Sequence, residues 1–412
     1  MRASAVFALG LACVVGEVSA LEIDPNVAPE INIGGRALVT IDVAHEQPPS
    51  DDGSHEHDHD SETTLNSADS SLNFGFSKYL FSDKDYAFGV IGVKTVESGS
   101  ELDQELYVHQ IYAGVGGARY EVRLGRTGLP VSLVSFPTVR DDDALEFTAV
   151  GNGLIDSHAE EYQMFGQQVT AQGWLTPLWS VTAAATARAE TVTGGAVDTA
   201  AFNGQHLALS YDVPEAVHVG RGVRYAGFAI DRQELNDLGG GTGNDVTAYL
   251  GGLVWYLNDN PEADWSLDVQ AIKVAGMTDV DLSEGYGRAR ANSRSLVAAL
   301  RYGHRPALQT RWQAALMLGV KDYDDFDQAR SVMIAPTLSW WLGSGVEVVG
   351  QLQHVRNDDY LAAQLDVETD HRVFLGLSFA FDYTMNESVG SRRGILANEH
   401  GMNTSGPVFG GH

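Results

Sequence analysis

The strongest constraint on this chain is an alternation of apolar and polar residues that recurs along most of the sequence. Over residues 31–43, every odd position is apolar or small, whereas the even positions include Asn32, Arg36 and Asp42. Over residues 372–383, every odd position is apolar or aromatic. A period of two residues is that of a β-strand, whose successive side chains point to opposite faces. Helical periodicity is almost absent, so the chain is predicted to be all-β.

About sixteen segments carry this pattern, each near the roughly 9–11 residues that a tilted strand needs to cross a membrane. They span residues 31–44, 71–81, 86–96, 105–115, 119–126, 161–173, 179–189, 205–213, 223–231, 246–257, 265–275, 294–302, 310–320, 331–342, 345–354 and 372–383. An apolar face that persists in strand after strand is typical of a surface that contacts lipid. The pattern therefore predicts a transmembrane antiparallel β-barrel of about sixteen strands.

The connections between these segments fall into two alternating classes. Long links such as 46–70 and 127–160 alternate with short turns such as 82–85 and 116–118. All seven tryptophans lie next to short turns, and none lies in a long link: Trp174, Trp179, Trp255, Trp265, Trp312, Trp340 and Trp341. Because indole favours the level of the lipid headgroups, this distribution predicts an aromatic girdle at the periplasmic rim. The short turns are then periplasmic and the long loops are external.

The two ends of the chain differ from the barrel segments. Residues 1–20 have the pattern of a secretory signal peptide, with Arg2, an apolar stretch over residues 3–15 and a small-x-small cleavage site at residues 18–20. The single cysteine, Cys13, lies in this segment, which excludes a disulfide framework from the mature chain. The barrel is predicted over residues 21–383, followed by a C-terminal tail over residues 384–412.

Charge and motifs exclude several functional classes. The chain has 26 Lys and Arg against 55 Asp and Glu, a formal charge of −29, which argues against nucleic acid as a partner. Without a nucleophile elbow, an HExxH motif or a phosphate-binding glycine loop, the chain is not predicted to be an enzyme. A barrel of this size is wide enough for an aqueous channel, and the acidic balance weakly favours cations.

A family resemblance is carried by two neighbouring segments. Residues 109–117 (HQIYAGVGG) and 119–126 (RYEVRLGR) resemble the strand pair that leads into the constriction loop of Gram-negative outer-membrane porins of the sixteen-stranded, trimeric class. The resemblance implies a location in the outer membrane, contact with its lipid, a homotrimer, and passive diffusion of small hydrophilic solutes or ions without a cofactor. It also implies that link 127–160 is a constriction loop folded into the lumen.

This arrangement singles out one set of candidate pore residues. They are Asp141, Asp142, Asp143 and Glu146 in the loop, with Arg119, Arg123 and Arg36 on the strands. An acidic loop opposite an arginine-bearing wall would set up a transverse field that orients dipolar solutes and sets ion preference. The alternative is that the acids form a solvated loop tip and the arginines pair with acidic neighbours in the lumen.

Histidines form a second candidate site in link 46–70. His55, His57 and His59 lie among aspartates and glutamates, and imidazole and carboxylate groups are ligands for divalent transition metals. The run predicts at most a loosely bound divalent metal ion, and its alternative is a hydrophilic loop that happens to carry histidine. The corresponding functional alternative is a metal-linked barrel that binds or admits divalent cations. A soluble, secreted all-β protein is the remaining interpretation.

Overall fold

A computed structural model describes residues 29–47, 62–67, 69–80, 85–97, 104–128, 132–139, 145–148, 165–187, 189–191, 197–199, 202–213, 221–235, 244–260, 262–276, 292–304, 311–326, 329–343, 345–365 and 367–385. The predicted signal peptide and the tail beyond residue 385 lie outside these ranges. Within them, no helix combines the length and the apolar character needed to cross a membrane.

Most of the described residues belong to β-strands. The strands are β1 (Glu30–Gln47), β2 (Glu62–Asn66), β3 (Ser71–Tyr79), β4 (Tyr86–Glu97), β5 (Gln104–Gly116), β6 (Tyr120–Gly128), β7 (Phe165–Trp174), β8 (Trp179–Ala187), β9 (Ala189–Thr191), β10 (Val197–Thr199), β11 (Gly204–Asp212), β12 (Gly222–Leu235), β13 (Asn244–Tyr256), β14 (Ala263–Ala275), β15 (Ser293–His304), β16 (Trp312–Tyr323), β17 (Arg330–Gly343), β18 (Val346–Asn357) and β19 (Thr369–Met385). Two short helices, α1 (Leu145–Thr148) and α2 (Asp359–Leu365), lie in connections.

The strands form a closed antiparallel barrel with sixteen strand positions. The first and last strands close it, because β1 pairs with β19 from Ile31 opposite Met385 to Gln47 opposite Thr369. Strands β2 and β3 share one position, since both pair with β1, beside residues 40–44 and 30–36 respectively. The hairpin of β9 and β10 is separate from the barrel sheet. The predicted all-β barrel is confirmed.

Each of the sixteen predicted segments coincides with a strand of the barrel, but several strand ends lie up to four residues from the predicted ones, as in β12, which continues to Leu235 and not only to residue 231. Strand β2 lies within what the sequence pattern assigns to link 46–70, and it is too short to show a clear alternation. Between β2 and β3, Asp69 adopts a left-handed backbone conformation with φ 66°. The Ser70 hydroxyl donates to the carbonyl of Leu38 and accepts from its N–H, which replaces the strand pairing lost at this break. Strand β19 extends to Met385, two residues beyond the predicted end.

Outward-facing side chains give the barrel an apolar exterior. Along β19, the odd positions from Val373 to Tyr383 are 41–61% exposed, whereas the even positions Phe374 and Ser378 are buried. All seven tryptophans lie at or next to strand ends joined by the predicted periplasmic turns. Rings meet across neighbouring strands there, with centroids 4.8 Å apart for Trp265 and Tyr302. This band and girdle match the pattern expected of a barrel embedded in lipid.

Two walls of the barrel interior differ in chemistry, although the first also carries the ion pair of Asp268 and Arg301 and buried amides such as Gln270. The apolar wall is formed by inward-facing residues of β13–β18, chiefly Leu250, Ile272, Val297, Ala299, Met317, Met333, Ala335 and Val355. The charged wall is formed by inward-facing residues of β1, β4, β6 and β19, chiefly Arg36, Lys94, Glu121, Arg123, Asp370 and Arg372. These two walls position the candidate site.

Candidate pore constriction

Part of the long link after β6 packs inside the barrel, against the apolar wall. Val134, Phe136 and Phe147 are at most 3% exposed and cluster with inward-facing residues of β15–β18. The wall is shaped to receive them: a Cβ atom added at Gly319 would lie 3.0 Å from the Phe147 ring and 3.0 Å from Met333. Residues 132–139 and 145–148 therefore occupy space within the lumen.

One wall residue, Gln270, binds both described parts of this link. Its Oε1 accepts hydrogen bonds from the Ser132 hydroxyl at 2.9 Å, from the Leu133 N–H at 2.7 Å and from the Val134 N–H at 3.0 Å. Its Nε2 donates to the carbonyl of Thr148. Since a loop inside a barrel has no strand partner, a buried amide side chain that both donates and accepts supplies the missing backbone partners.

Three further wall residues bind residues 135–139, which lie between the two parts of the link that Gln270 binds. Gln351 Oε1 accepts from the Val139 N–H at 2.8 Å, and the Thr337 hydroxyl donates to the carbonyl of Pro137 at 3.0 Å. The Arg301 guanidinium donates to the carbonyl of Ser135 and also pairs with Asp268. The link is thus attached to β14, β15, β17 and β18, all on one side of the barrel.

Charges on the opposite side are paired with one another within the wall. Arg123 and Glu121 form an ion pair on β6, and the Tyr86 hydroxyl donates to Glu121 at 3.2 Å. The Arg123 guanidinium also lies 5.6 Å from the ring centroid of Tyr112, within the range of a cation–π contact.

The same pairing recurs on neighbouring strands. Lys94 lies 2.6 Å from Asp69, the residue at the break between β2 and β3. Arg36 donates through Nε to the Ser378 hydroxyl at 3.0 Å. Arg123, Arg301 and Arg372 each form an ion pair with an acidic side chain, Glu121, Asp268 and Asp370 respectively.

The structure places the predicted site residues in three groups. Arg36 and Arg123 lie on the charged wall, while Arg119 is exposed in the turn before β6, where its carbonyl accepts from the Trp174 N–H at 2.9 Å. Glu146 lies in α1, and its side chain is not among those that the structure describes. The remaining predicted residues lie outside the described ranges: Asp141, Asp142, Asp143, His55, His57 and His59.

Sequence reasoning missed the residues that hold the link. Gln270 and Gln351 are inward-facing residues of β14 and β18. Their neighbours along each strand point to the outside of the barrel. A glutamine on the lumen side of a predicted strand is a weak signal, because any polar residue suits that face. Within the described residues, no group of three or more His, Cys, Asp or Glu side chains could hold a metal ion.

Comparisons with known proteins identify the fold. No family model and no curated protein sequence matches this chain. Among solved structures, it is similar to the outer membrane channel DcaP of Acinetobacter baumannii, with a TM-score of 0.59, 12% identity, and coverage of 88% of this chain and 100% of that one. It is also similar to the anion-selective porin from Comamonas acidovorans, with a TM-score of 0.59, 13% identity, and coverage of 86% and 100% respectively.

A third similar structure is the trimer form of OmpT, an outer membrane protein of Vibrio cholerae, with a TM-score of 0.53, 10% identity, and coverage of 86% and 100%. At such identities the likeness shows the fold, which is that of the outer-membrane porins. Together with the apolar exterior and its aromatic girdle, the fold places this chain in the outer membrane of a Gram-negative bacterium.

Proposed function

We propose that this chain forms an aqueous channel for passive diffusion of small hydrophilic solutes or ions, with no cofactor and no catalytic step. The observation that carries the proposal is the anchoring of residues 132–139 and 145–148 to one wall of a closed sixteen-position barrel. A loop attached to the apolar wall narrows the lumen and leaves the charged wall as the other side of a passage. Two proteins of the same fold are a channel and a porin by name.

We propose a weak preference for cations, set by the acids of the loop. Asp141, Asp142, Asp143 and Glu146 belong to the same link as the anchored stretch, and rings of acidic charge at a constriction favour cations. Arg123 and Arg372 contribute little opposing field, because each is paired with a carboxylate. An anion-selective porin shares the fold, so the sign of selectivity depends on side chains.

We also propose that the functional unit is a homotrimer. The support is the trimer form of a structurally similar outer membrane protein. Native mass spectrometry of the detergent-solubilised protein would show three chains, and a monomer at all protein concentrations would overturn this part of the proposal. The metal-linked alternative depends on His55, His57 and His59 and has no support from the described residues.

The test of the channel is planar-bilayer conductance of the purified protein, with the reversal potential recorded in a salt gradient. Stepwise openings and a reversal potential of the cation-preferring sign are expected. Correctly folded protein that shows no openings would overturn the channel proposal, and a potential of the opposite sign would overturn the cation preference alone.

A matched pair of variants tests the acids of the loop. Replacing Asp141, Asp142 and Asp143 with Asn should reduce or reverse the cation preference. The control replaces Asp322, Asp324 and Asp325 with Asn, which removes the same charge from the external rim at β16 and the turn after it. If the two variants shift the reversal potential equally, only the net charge of the mouth matters and the loop has no special role.

A further inference from the structure

Three histidines form a row on the outer surface of the barrel, near its external end. His354 on β18 is opposite His371 on β19, and His371 is opposite His45 on β1. Outward-facing positions on these strands alternate with buried inward ones such as Gln353 and Asp370. The three imidazoles therefore share the outward face, on three adjacent strands.

The row marks the boundary between the lipid-facing band and the external rim. Two residues closer to the membrane midplane, the same face carries Val43, Val373 and Leu352. Val373 is paired with Val43 on one side and with Leu352 on the other. Two residues further out the same face carries polar side chains, where Thr369 donates to the Gln47 amide oxygen at 2.9 Å. Successive rows are about 7 Å apart along a strand. The histidines thus lie beside the first apolar row and within reach of water.

The Nδ1 atoms of His354 and His371 are close enough together to bind one metal ion. Their Nδ1 atoms are 3.1 Å apart, and their rings are stacked with centroids 4.4 Å apart. The ring of His45 continues the stack, with its centroid 6.4 Å from that of His371. Two nitrogens at this separation, each about 2.0–2.1 Å from a zinc ion, subtend an angle of about 98° at the metal, which is within the range of common coordination geometries.

We propose that His354 and His371 bind a divalent transition-metal ion, such as Zn²⁺, Cu²⁺ or Ni²⁺, through their Nδ1 atoms. Imidazole nitrogen suits these ions, and the remaining coordination positions are open to water. Without metal, a hydrogen bond between the two Nδ1 atoms requires that one of the rings carries its proton on Nδ1 and donates it. Binding requires that ring to take the tautomer with its proton on Nε2, which releases no proton from the pair.

The charged side chains near the histidine row have partners of their own. Arg356, two residues from His354 on the same face, lies 3.8 Å from Glu368. Asp370 faces the lumen, where it accepts from Arg372 at 3.0 Å. The carboxylates near the row are thus engaged elsewhere, and the proposed site has two protein ligands. Such a site exchanges its ion readily, unlike a structural site with four protein ligands.

The site also has a structural consequence, because β19 pairs with both β18 and β1 and so forms the closing seam of the barrel. An ion bridging β18 and β19 would hold the external end of that seam. Any ligand that binds only the folded state stabilises it by mass action. The proposal is independent of whether the lumen conducts, and it concerns a different site from His55, His57 and His59.

The experiment is an isothermal titration calorimetry measurement, in which ZnCl₂ is titrated into the full-length, detergent-folded protein. The test variant is H354Q/H371Q, and the control H55Q/H57Q/H59Q removes the histidines of the loop. A second control, H304Q, removes a histidine at the opposite rim, whose ring lies 5.8 Å from that of Trp312. Loss of one saturable binding event in the test variant alone is expected.

Two results would overturn the proposal: unchanged zinc binding by H354Q/H371Q, or loss of all saturable binding in H55Q/H57Q/H59Q. If the double variant fails to give the heat-modifiable folded band, the single variant H371Q replaces it. An independent measurement uses Cu²⁺ on H55Q/H57Q/H59Q. Electron paramagnetic resonance should then show nitrogen coupling from two imidazoles, and a spectrum without nitrogen coupling would contradict the assignment.

Discussion

The apolar wall and the charged wall of the barrel use their inward side chains in different ways. On the apolar wall, Met317 and Met333 pack against Phe147 of the link, and the polar residue Gln270 bonds to the backbone of the link. On the charged wall, Arg123 and Glu121 bond to each other within the sheet. The first wall is therefore a docking surface, whereas the second presents paired charges to the lumen.

This difference indicates which force holds the loop. Fully burying a large apolar side chain stabilises a structure by about 1.5–3 kcal/mol, and Phe136 and Phe147 both contribute such a term on the apolar wall. Pairing charges in a partly hydrated lumen contributes far less, because desolvation offsets much of the attraction. Apolar burial thus anchors the loop together with the hydrogen bonds of Gln270, Gln351 and Thr337, and the charges of the other wall remain to act on ions.

The largest effect is expected at Phe147. Phe147→Ala removes a ring that is 1% exposed and faces Gly319, so the loss should be about 3–5 kcal/mol of docking energy. A detached loop should give noisier channel openings and faster proteolysis within residues 129–164. The matched control is Phe228→Ala, which removes an outward-facing ring on β12. Equal protease sensitivity of the two variants would contradict the proposed anchor.

A smaller effect is expected at Gln270. Gln270→Met keeps the size of the side chain but leaves the Leu133 and Val134 N–H groups without their acceptor, at about 1–3 kcal/mol for a buried donor. Gln172→Met is the control, since Gln172 faces the same lumen but donates only to Ser180 on the adjacent strand. Faster hydrogen exchange at Leu133 and Val134 in the first variant alone would confirm the role of the amide.

The difference between the walls also explains how much of the molecule could be predicted from sequence. The exterior was predictable because lipid imposes one rule on every strand: outward-facing positions such as Val373 and Leu375 must be apolar. The tryptophans then fixed which connections are periplasmic. The boundaries of the sixteen predicted strands followed to within a few residues, whereas the short strands β2, β9 and β10 were not predicted.

The lumen was less predictable because no single rule governs it. Segment 310–320 has apolar residues on both faces, including Met317 on the lumen side. An apolar residue on that face indicates a packed interior, but the strand alone does not show what Met317 packs against. Gln270 contacts residues about 120 to 140 positions away in sequence, a relation that only the closed barrel reveals. The row of His45, His354 and His371 likewise exists only once β18, β19 and β1 are adjacent.

The smallest effect is expected on the charged wall, and it tests whether that wall faces the ions. Arg123→Gln leaves Glu121 without its ion-pair partner and should increase cation preference, whereas Glu121→Gln leaves Arg123 and should decrease it. A unit charge about 4 Å from an ion in water contributes about 1 kcal/mol, which corresponds to roughly a fivefold change in permeability ratio. Reversal potentials of the two variants should therefore move in opposite directions.

Arg330→Gln serves as the control for this pair of variants, because Arg330 pairs with Asp322 at the exposed external rim. Salt screens charges that face open solution over about 10 Å at 0.1 M, so its reversal potential should stay close to that of the unmodified protein. Shifts of the same sign in Arg123→Gln and Glu121→Gln would mean that substitution disturbs the fold. No shift in either would mean that ions pass elsewhere in the lumen, and the distinction between a docking wall and an ion-facing wall would fail.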